Sequence, residues 1–369
     1  MIKKFYLLII LSFFTSAIAF AQTNFVQQQT DFVQQQTFSA DTTKAKQVNT
    51  ASVDFHFNAL AWLDNREYKA FIPRSRTYSG TRTAIDFGLN LDSLNHFVVG
   101  TNAIHEFGAQ PYFLNAVPIA YYNYHSSKWL FNAGEFPRAG LIDDYPRAML
   151  NDTLMYYRPN VEGLLARYGN QHFWQTGWID WVSRQTDTQR EEFLFGAEGK
   201  YTPGNGLFYI RDYFMMEHDA GAAILQPTDH IFDNGAVEVR LGLNFTHKTF
   251  LDSLSFEAGN LTSFLRERGV DGWQTRNGFM FSAYAGYHRF AVFEELYKGQ
   301  GSIIYYGDSY YEKTFYDRVD LIFTPFLSGR VKGQFVASFH FSPGHANDNQ
   351  EVFRVTYDLG RKTIARFKD

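Results

Sequence analysis

Ser338 and His340 stand two residues apart in the stretch ASFHF, so an extended chain puts both side chains on one face. A hydroxyl beside an imidazole is the beginning of a hydrolytic site, completed by a third residue that orients the ring. No third member is evident, and the pair is read as incidental. Glu294 and Glu295 are adjacent and leave opposite faces of a strand, which suits them poorly for shared acid–base work. The 11 histidines are scattered and there is no cysteine, so zinc-ligand spacing is missing. The densest mixture of Trp, Arg and acid is WIDWVSRQTDTQREEF, residues 178–193. Trp178 and Asp180 fall on one register there, with Arg184 and Arg190 bracketing a loop. Such a grouping can grip a sugar, but a tryptophan belt at a membrane surface is the more frequent reason for it.

These residues need elements to hold them, and the elements are legible. VEVRLGLNF, residues 237–245, places Val237, Val239, Leu241, Leu243 and Phe245 on one face and Glu238 and Arg240 on the other. A period of two is a β-strand. The same alternation recurs. Val53, Phe55 and Phe57 oppose Asp54, His56 and Asn58; Phe353, Val355 and Tyr357 oppose Arg354 and Asp358. Two segments, NVEGLLARY and YIRDYF, put a charge on each face and call for a bulge or a rim position. Seven short Gly-, Asn-, Pro- or Ser-bearing links alternate with eight longer ones, giving sixteen strands with both ends on the short-link side. Aromatics make up 18% of the chain, with 38 Phe and 23 Tyr, although mean hydropathy is slightly negative. Past the N-terminus no run approaches the ~18 apolar residues of a membrane helix. The formal charge of −4 gives no argument for nucleic acid.

The ends add a destination. Residues 1–21 have Lys3 and Lys4, an apolar run from Phe5 to Phe14, and Ala19-Phe20-Ala21 as a cleavage site, the three parts of a secretory signal. Residues 22–51 carry NFVQQQT and DFVQQQT in tandem and read as a flexible periplasmic leader. Residues 52–369 are then an all-β, transmembrane, antiparallel up-and-down barrel of about sixteen strands in a Gram-negative outer membrane, with short periplasmic turns and long extracellular loops.

In strand count, link rhythm and face pattern the chain resembles the sixteen-stranded diffusion porins. The resemblance covers residues 52–359 and includes no short motif. It implies a third long loop folded into the lumen, its acids facing arginines on the wall. That loop here holds Asp143, Asp144 and Asp152 with Arg138 and Arg147. The facing wall candidates are Arg184, Arg211, Arg240 and Arg354, with Asp180 and Glu238 also turned inward. A barrel of this size leaves a water-filled lumen. The resulting expectation is a passive channel for small hydrophilic solutes, without catalysis, cofactor or metal. The runner-up is a surface barrel whose loops bind glycans or partners, and a barrel hydrolase stands third. Partners would be outer-membrane lipid and the barrel-assembly machinery, with a homotrimer open. Porins usually end on an aromatic residue, whereas this chain ends RKTIARFKD, leaving open whether the last strand stops at Leu359 or runs on to Phe367.

Overall fold

The computed structural model describes residues 51–69, 73–112, 115–142, 144–224, 229–344 and 348–367. The leader and signal expected at residues 1–50, and Asp143, lie outside them. The strands are β1 (Ser52–Glu67), β2 (Arg76–Asn90), β3 (Asn95–Glu106), β4 (Asn115–His125), β5 (Trp129–Pro137) and β6 (Asn160–Gly169). There follow β7 (Phe173–Ser183), β8 (Glu191–Tyr201), β9 (Phe208–Gly221), β10 (Phe232–Asn244) and β11 (Ser253–Glu267). The wall ends with β12 (Gln274–Tyr287), β13 (Phe290–Gly299), β14 (Phe315–Ser328), β15 (Val331–Phe341) and β16 (Asp348–Asp358). Each pairs antiparallel with the next, and β16 pairs with β1 from Asn58↔Asp358 to Glu67↔Asn349, which closes sixteen strands into a barrel. A short β17 (Lys362–Arg366) prolongs the line of β16 along the start of β1, and the Phe367 amide donates to the Ala51 carbonyl at 2.8 Å. The chain therefore runs on to Phe367, after a break at Leu359–Arg361.

Closure matters because hydrocarbon offers no hydrogen bonds to an open sheet edge. It also fixes which face is which. Val237, Val239 and Leu241 are 38, 48 and 65% exposed, while Glu238 and Arg240 between them are 0 and 5% exposed. Apolar outside and charged inside is the reverse of a water-soluble sheet, and it recurs where Ile85, Phe87 and Leu89 stand exposed beside buried Asp86. The segments with no all-inward register need no bulge. Glu162 lies near the outer end of β6, opposite Glu135, and Asp212 on the outer face of β9 accepts from Gln175 Nε2 at 3.0 Å.

Several strands outrun their expected limits: β9 continues to Gly221 and β1 to Glu67. Their ends stay paired above the hydrocarbon, where polar side chains no longer disfavour strand. The larger correction is inside. Residues 138–159 and 300–314, the third and seventh long connections, turn into the barrel. They carry Ile142, Tyr145, Ala148, Met149, Leu150, Ile304, Tyr310 and Tyr311, all buried. These meet inward-facing apolar wall residues including Phe136, Leu165, Leu194, Ala236, Leu261 and Met280 in one core. At that level the lumen holds packed protein and not the continuous column of water anticipated for a porin.

The face assignment predicts that Val239→Lys, near the middle of β10, costs about 2–4 kcal/mol. The check is the fraction of folded, heat-modifiable barrel recovered, which should fall markedly.

Candidate functional site

Three polar regions could carry function: the charged lumen, the buried Ser338–His340 pair, and a polar patch on the outer wall.

In the lumen the two infolded loops hold each other. The Asn151 amide donates to the Tyr306 carbonyl at 2.8 Å, and the Asp308 amide to the Arg147 carbonyl at 2.9 Å. Arg147 also bridges Asp308 at 3.0 Å and Asp152 at 3.3 Å. Gly307 is needed at this crossing, since a Cβ there would sit 2.1 Å from the Ala148 carbonyl oxygen. The third loop is tied to the wall as well. Tyr145 donates to the Phe214 carbonyl at 3.0 Å and accepts from Trp178 Nε1 at 2.8 Å, while Tyr156 stacks on Trp62 at 5.0 Å. Burial opposes ionisation of Asp152, yet Arg147, then Arg318 and Arg354, hold its carboxyl well below the usual carboxylate range.

The residues named from sequence divide as follows. Asp144 pairs with Arg211, which also lies 3.9 Å from Glu257. Asp180 is fully enclosed between Arg138 and Arg158. Arg240 donates to Glu238 at 2.5 Å and reaches Glu257 and Glu295, each at 3.2 Å. Arg354 meets the Tyr156 hydroxyl at 3.2 Å and Asp152 at 3.9 Å. Arg184 does not join them: it follows the end of β7 at Ser183 and is exposed in the loop, one residue too late to share the wall register. Glu294 and Glu295 do part, Glu295 into the lumen against Arg240 and Glu294 outward.

Ser338 and His340 both point inward on β15 and are each 1% exposed. His340 Nδ1 is 2.7 Å from the Tyr316 hydroxyl, and Tyr310 lies flat on the ring at 4.7 Å. Asp348 stands opposite His340 but serves Tyr310 and the Lys69 amide, both at 2.7 Å. Among the described residues neither Ser338 Oγ nor His340 Nε2 has a hydrogen-bond partner. His340 is walled in by Tyr68, Tyr310 and Tyr316, and both residues are buried on the inward face of β15, away from lipid.

The outer wall offers a different grouping, which reading from sequence missed. At the extracellular ends of β1, β2 and β3 the outward register carries Asn65, Thr77, Ser79, Thr81 and His105. His105 pairs with Thr81, and Phe107, the next outward residue, donates its amide to the Ser79 carbonyl at 3.0 Å. Ser79 and His105 are thus diagonal neighbours, roughly 7–8 Å apart at the backbone, a gap that an imidazole can span. His105 Nδ1 is bonded to the Tyr112 carbonyl oxygen, and its ring stacks on Tyr112 at 3.9 Å. A carbonyl only accepts, so Nδ1 carries a proton and Nε2 is the ring nitrogen left outside that bond. Beside Ser79, Thr77 donates to Asn65 at 2.9 Å, and Asn65 donates to Glu351 at 3.0 Å. The available signal was the break in the greasy stripe of β2, where Thr77, Ser79, Thr81 and Thr83 precede Ile85. No cluster of His, Asp or Glu suited to a metal ion occurs among the described residues.

Closed, sixteen-stranded, greasy outside and polar within, the molecule is an outer-membrane β-barrel. Its sequence belongs to the lipid A 3'-O-deacylase-type family, whose profile matches residues 42–359. No curated protein matches it in sequence. In structure it is similar to OmpT of Vibrio cholerae in a form lacking loop L8, at 11% identity and a TM-score of 0.54, covering 84% of this chain and 99% of that one. An anion-selective porin from Comamonas acidovorans shares 12% identity at a TM-score of 0.49, over 84% of this chain and 100% of that one. OpdK from Pseudomonas aeruginosa shares 10% at 0.48, over 84% and 99%. The first of these supports the fold. The expectation that the barrel performs no catalysis is corrected by the family match, because that family is one of enzymes.

The loop crossing predicts that Arg147→Gln, leaving Asp152 and Asp308 without their shared cation, loosens both loops by on the order of 3 kcal/mol. Faster proteolysis within 138–158 of an otherwise intact barrel is the readout. A carboxyl held below its unfolded value stabilises above the usual carboxylate range and loses that contribution as pH falls through the depressed value. Protease protection of the wild-type loop should therefore be unchanged from neutral pH to about 5 and decline only in acid below about 4.

Proposed function

We propose that this barrel is an acyl-ester hydrolase that removes a fatty-acyl chain from a glycolipid of the lipid A kind in the outer leaflet. Membership of the deacylase-type family supports the reading. The observation that carries it is His105: an imidazole pinned through Nδ1, on the outer wall, diagonal to Ser79 at the level where the strands leave the membrane. A lipid ester lies beside this wall, whereas it has no way to the sealed Ser338–His340 pair.

In this reading His105 Nε2 accepts the Ser79 hydroxyl proton as Oγ attacks the ester carbonyl carbon. The tetrahedral intermediate collapses with cleavage of the carbon–oxygen bond to the sugar, and the imidazolium returns its proton to the leaving sugar oxygen. Water, deprotonated by the same nitrogen, then releases the fatty acid from Ser79. Thr77, Asn65 and Glu351 form the adjoining polar shelf and position the glycolipid.

Ser79→Ala and His105→Ala should each abolish fatty-acid release from lipid A in mixed micelles, a loss of about a hundredfold or more, with heat-modifiable mobility unchanged. Ser338→Ala should leave turnover intact. Full activity in Ser79→Ala together with its loss in Ser338→Ala would transfer the chemistry to the lumen.

A second reading, a narrow solute channel, is favoured by the Asp144–Arg211 pair between the third loop and the wall. Stepwise conductance in planar bilayers, with cation preference lowered by Asp144→Asn, would support it; a folded but silent barrel would remove it.

A further inference from the structure

On the wall formed by β9 to β12 the outward stripe ends in an arrangement unlike the polar shelf at Ser79. His218, Asp233 and Arg266 are cross-strand partners in one outward row near the extracellular strand ends. Arg266 Nη2 donates to Asp233 at 2.6 Å, and Arg268, just beyond β11, grips the same carboxylate through Nε at 2.8 Å and Nη2 at 2.9 Å. His218 Nδ1 is 2.7 Å from Asp233 Oδ1, the oxygen that also accepts from Arg268 Nη2. The Asp233 side chain is wholly covered, whereas that of Arg268 is 43% exposed. Two guanidiniums around one carboxylate leave a surplus positive charge even with His218 neutral. Each guanidinium has five N–H donors and gives only part of them to Asp233. The orientation of Arg266 is further fixed by Trp273, over which its guanidinium lies at 4.2 Å.

Below this charge the wall is aromatic. Trp273 meets Phe264 edge-on at 5.6 Å, Phe264 stacks with Phe214 at 6.2 Å, and Phe214 adjoins Phe195 at 5.7 Å. Cations at the headgroup level above rings at the acyl level match an anionic amphiphile. We propose that this wall is a binding site for a phosphorylated lipid of the outer leaflet, its phosphate held by Arg266 and Arg268 and its acyl chains laid along Phe264 and Phe214. Charge complementarity selects phosphate over a neutral headgroup, and Asp233 keeps the two arginines preorganised so that little order is lost on binding. The site lies on strands remote in sequence from β1–β3 and needs no catalysis, so it stands independently of the hydrolase reading.

The test uses the full chain in detergent, with bisphosphorylated lipid A, its dephosphorylated form and inorganic phosphate as probes, and retained lipid counted by native mass spectrometry. Wild type should retain bisphosphorylated lipid A, and Arg266→Gln with Arg268→Gln should weaken retention about tenfold or more, the equivalent of one charge-assisted hydrogen bond. Dephosphorylated lipid should be retained equally by both proteins, and less than the bisphosphorylated form is by wild type. Should the double variant fail to fold, Arg268→Gln and Trp273→Ala, at more exposed positions, carry the same expectation. Equal retention of phosphorylated lipid by the variants would overturn the site. So would displacement of the lipid by inorganic phosphate at equal concentration, which would make it a site for free anions.

Discussion

A barrel wall in hydrocarbon must satisfy every backbone amide and carbonyl within itself, and the pairing of β1 with β16 is what makes that possible here. From closure follows the inversion of polarity. Outward positions at the level of the hydrocarbon favour apolar residues, so most polar residues of each strand are gathered into one enclosed space. There they can only be satisfied by one another, and the lumen is accordingly a lattice of buried ion pairs: Arg240 with Glu238, Glu257 and Glu295, Arg167 with Glu198, Arg138 with Asp180. Such pairs are expensive to break one partner at a time. They make the inner wall a rigid surface on which the third and seventh loops are seated.

The wall was legible in sequence because its rule is simple and repeated. An alternation carried through strand after strand, with no charge in the apolar register of β15 or between Val237 and Leu243 of β10, admits few other architectures. The filling of the lumen was not legible, because it depends on a departure that is small in each strand. Leu194, Ala236, Leu261 and Met280 are scattered apolar residues on inward registers that are mostly polar or Gly, and each strand alone shows nothing unusual. The signal that was available lies in the loop. Leu141, Ile142, Ala148, Met149, Leu150, Leu154 and Met155 make residues 138–158 too apolar to be a solvated connection. The same reasoning explains Ser79 and His105. They are ordinary residues near strand ends, and only the cross-strand register of β2 and β3 sets them side by side.

Each strand that bears an outward polar site also bears inward structure. On β2, Ser79 and Thr77 face the membrane while Arg82 reaches inward to the Met155 carbonyl at 2.9 Å. On β9, His218 looks outward and Tyr213 lies in the core with Tyr145. The infolded loops therefore brace from within the strands that present polar groups to lipid outside. That arrangement gives polar groups at a membrane surface what those of a soluble protein obtain from its core: side chains held in register by rigid elements.

The seam between β1 and the pair β16–β17 joins the first strand of the wall to its last two. Until that seam forms, β1 has a neighbour on one side only, and the sheet keeps an unpaired edge. Closure thus rests on a contact between residues such as Asn58 and Asp358 that are far apart in sequence, which belongs to the slow extreme of folding topologies.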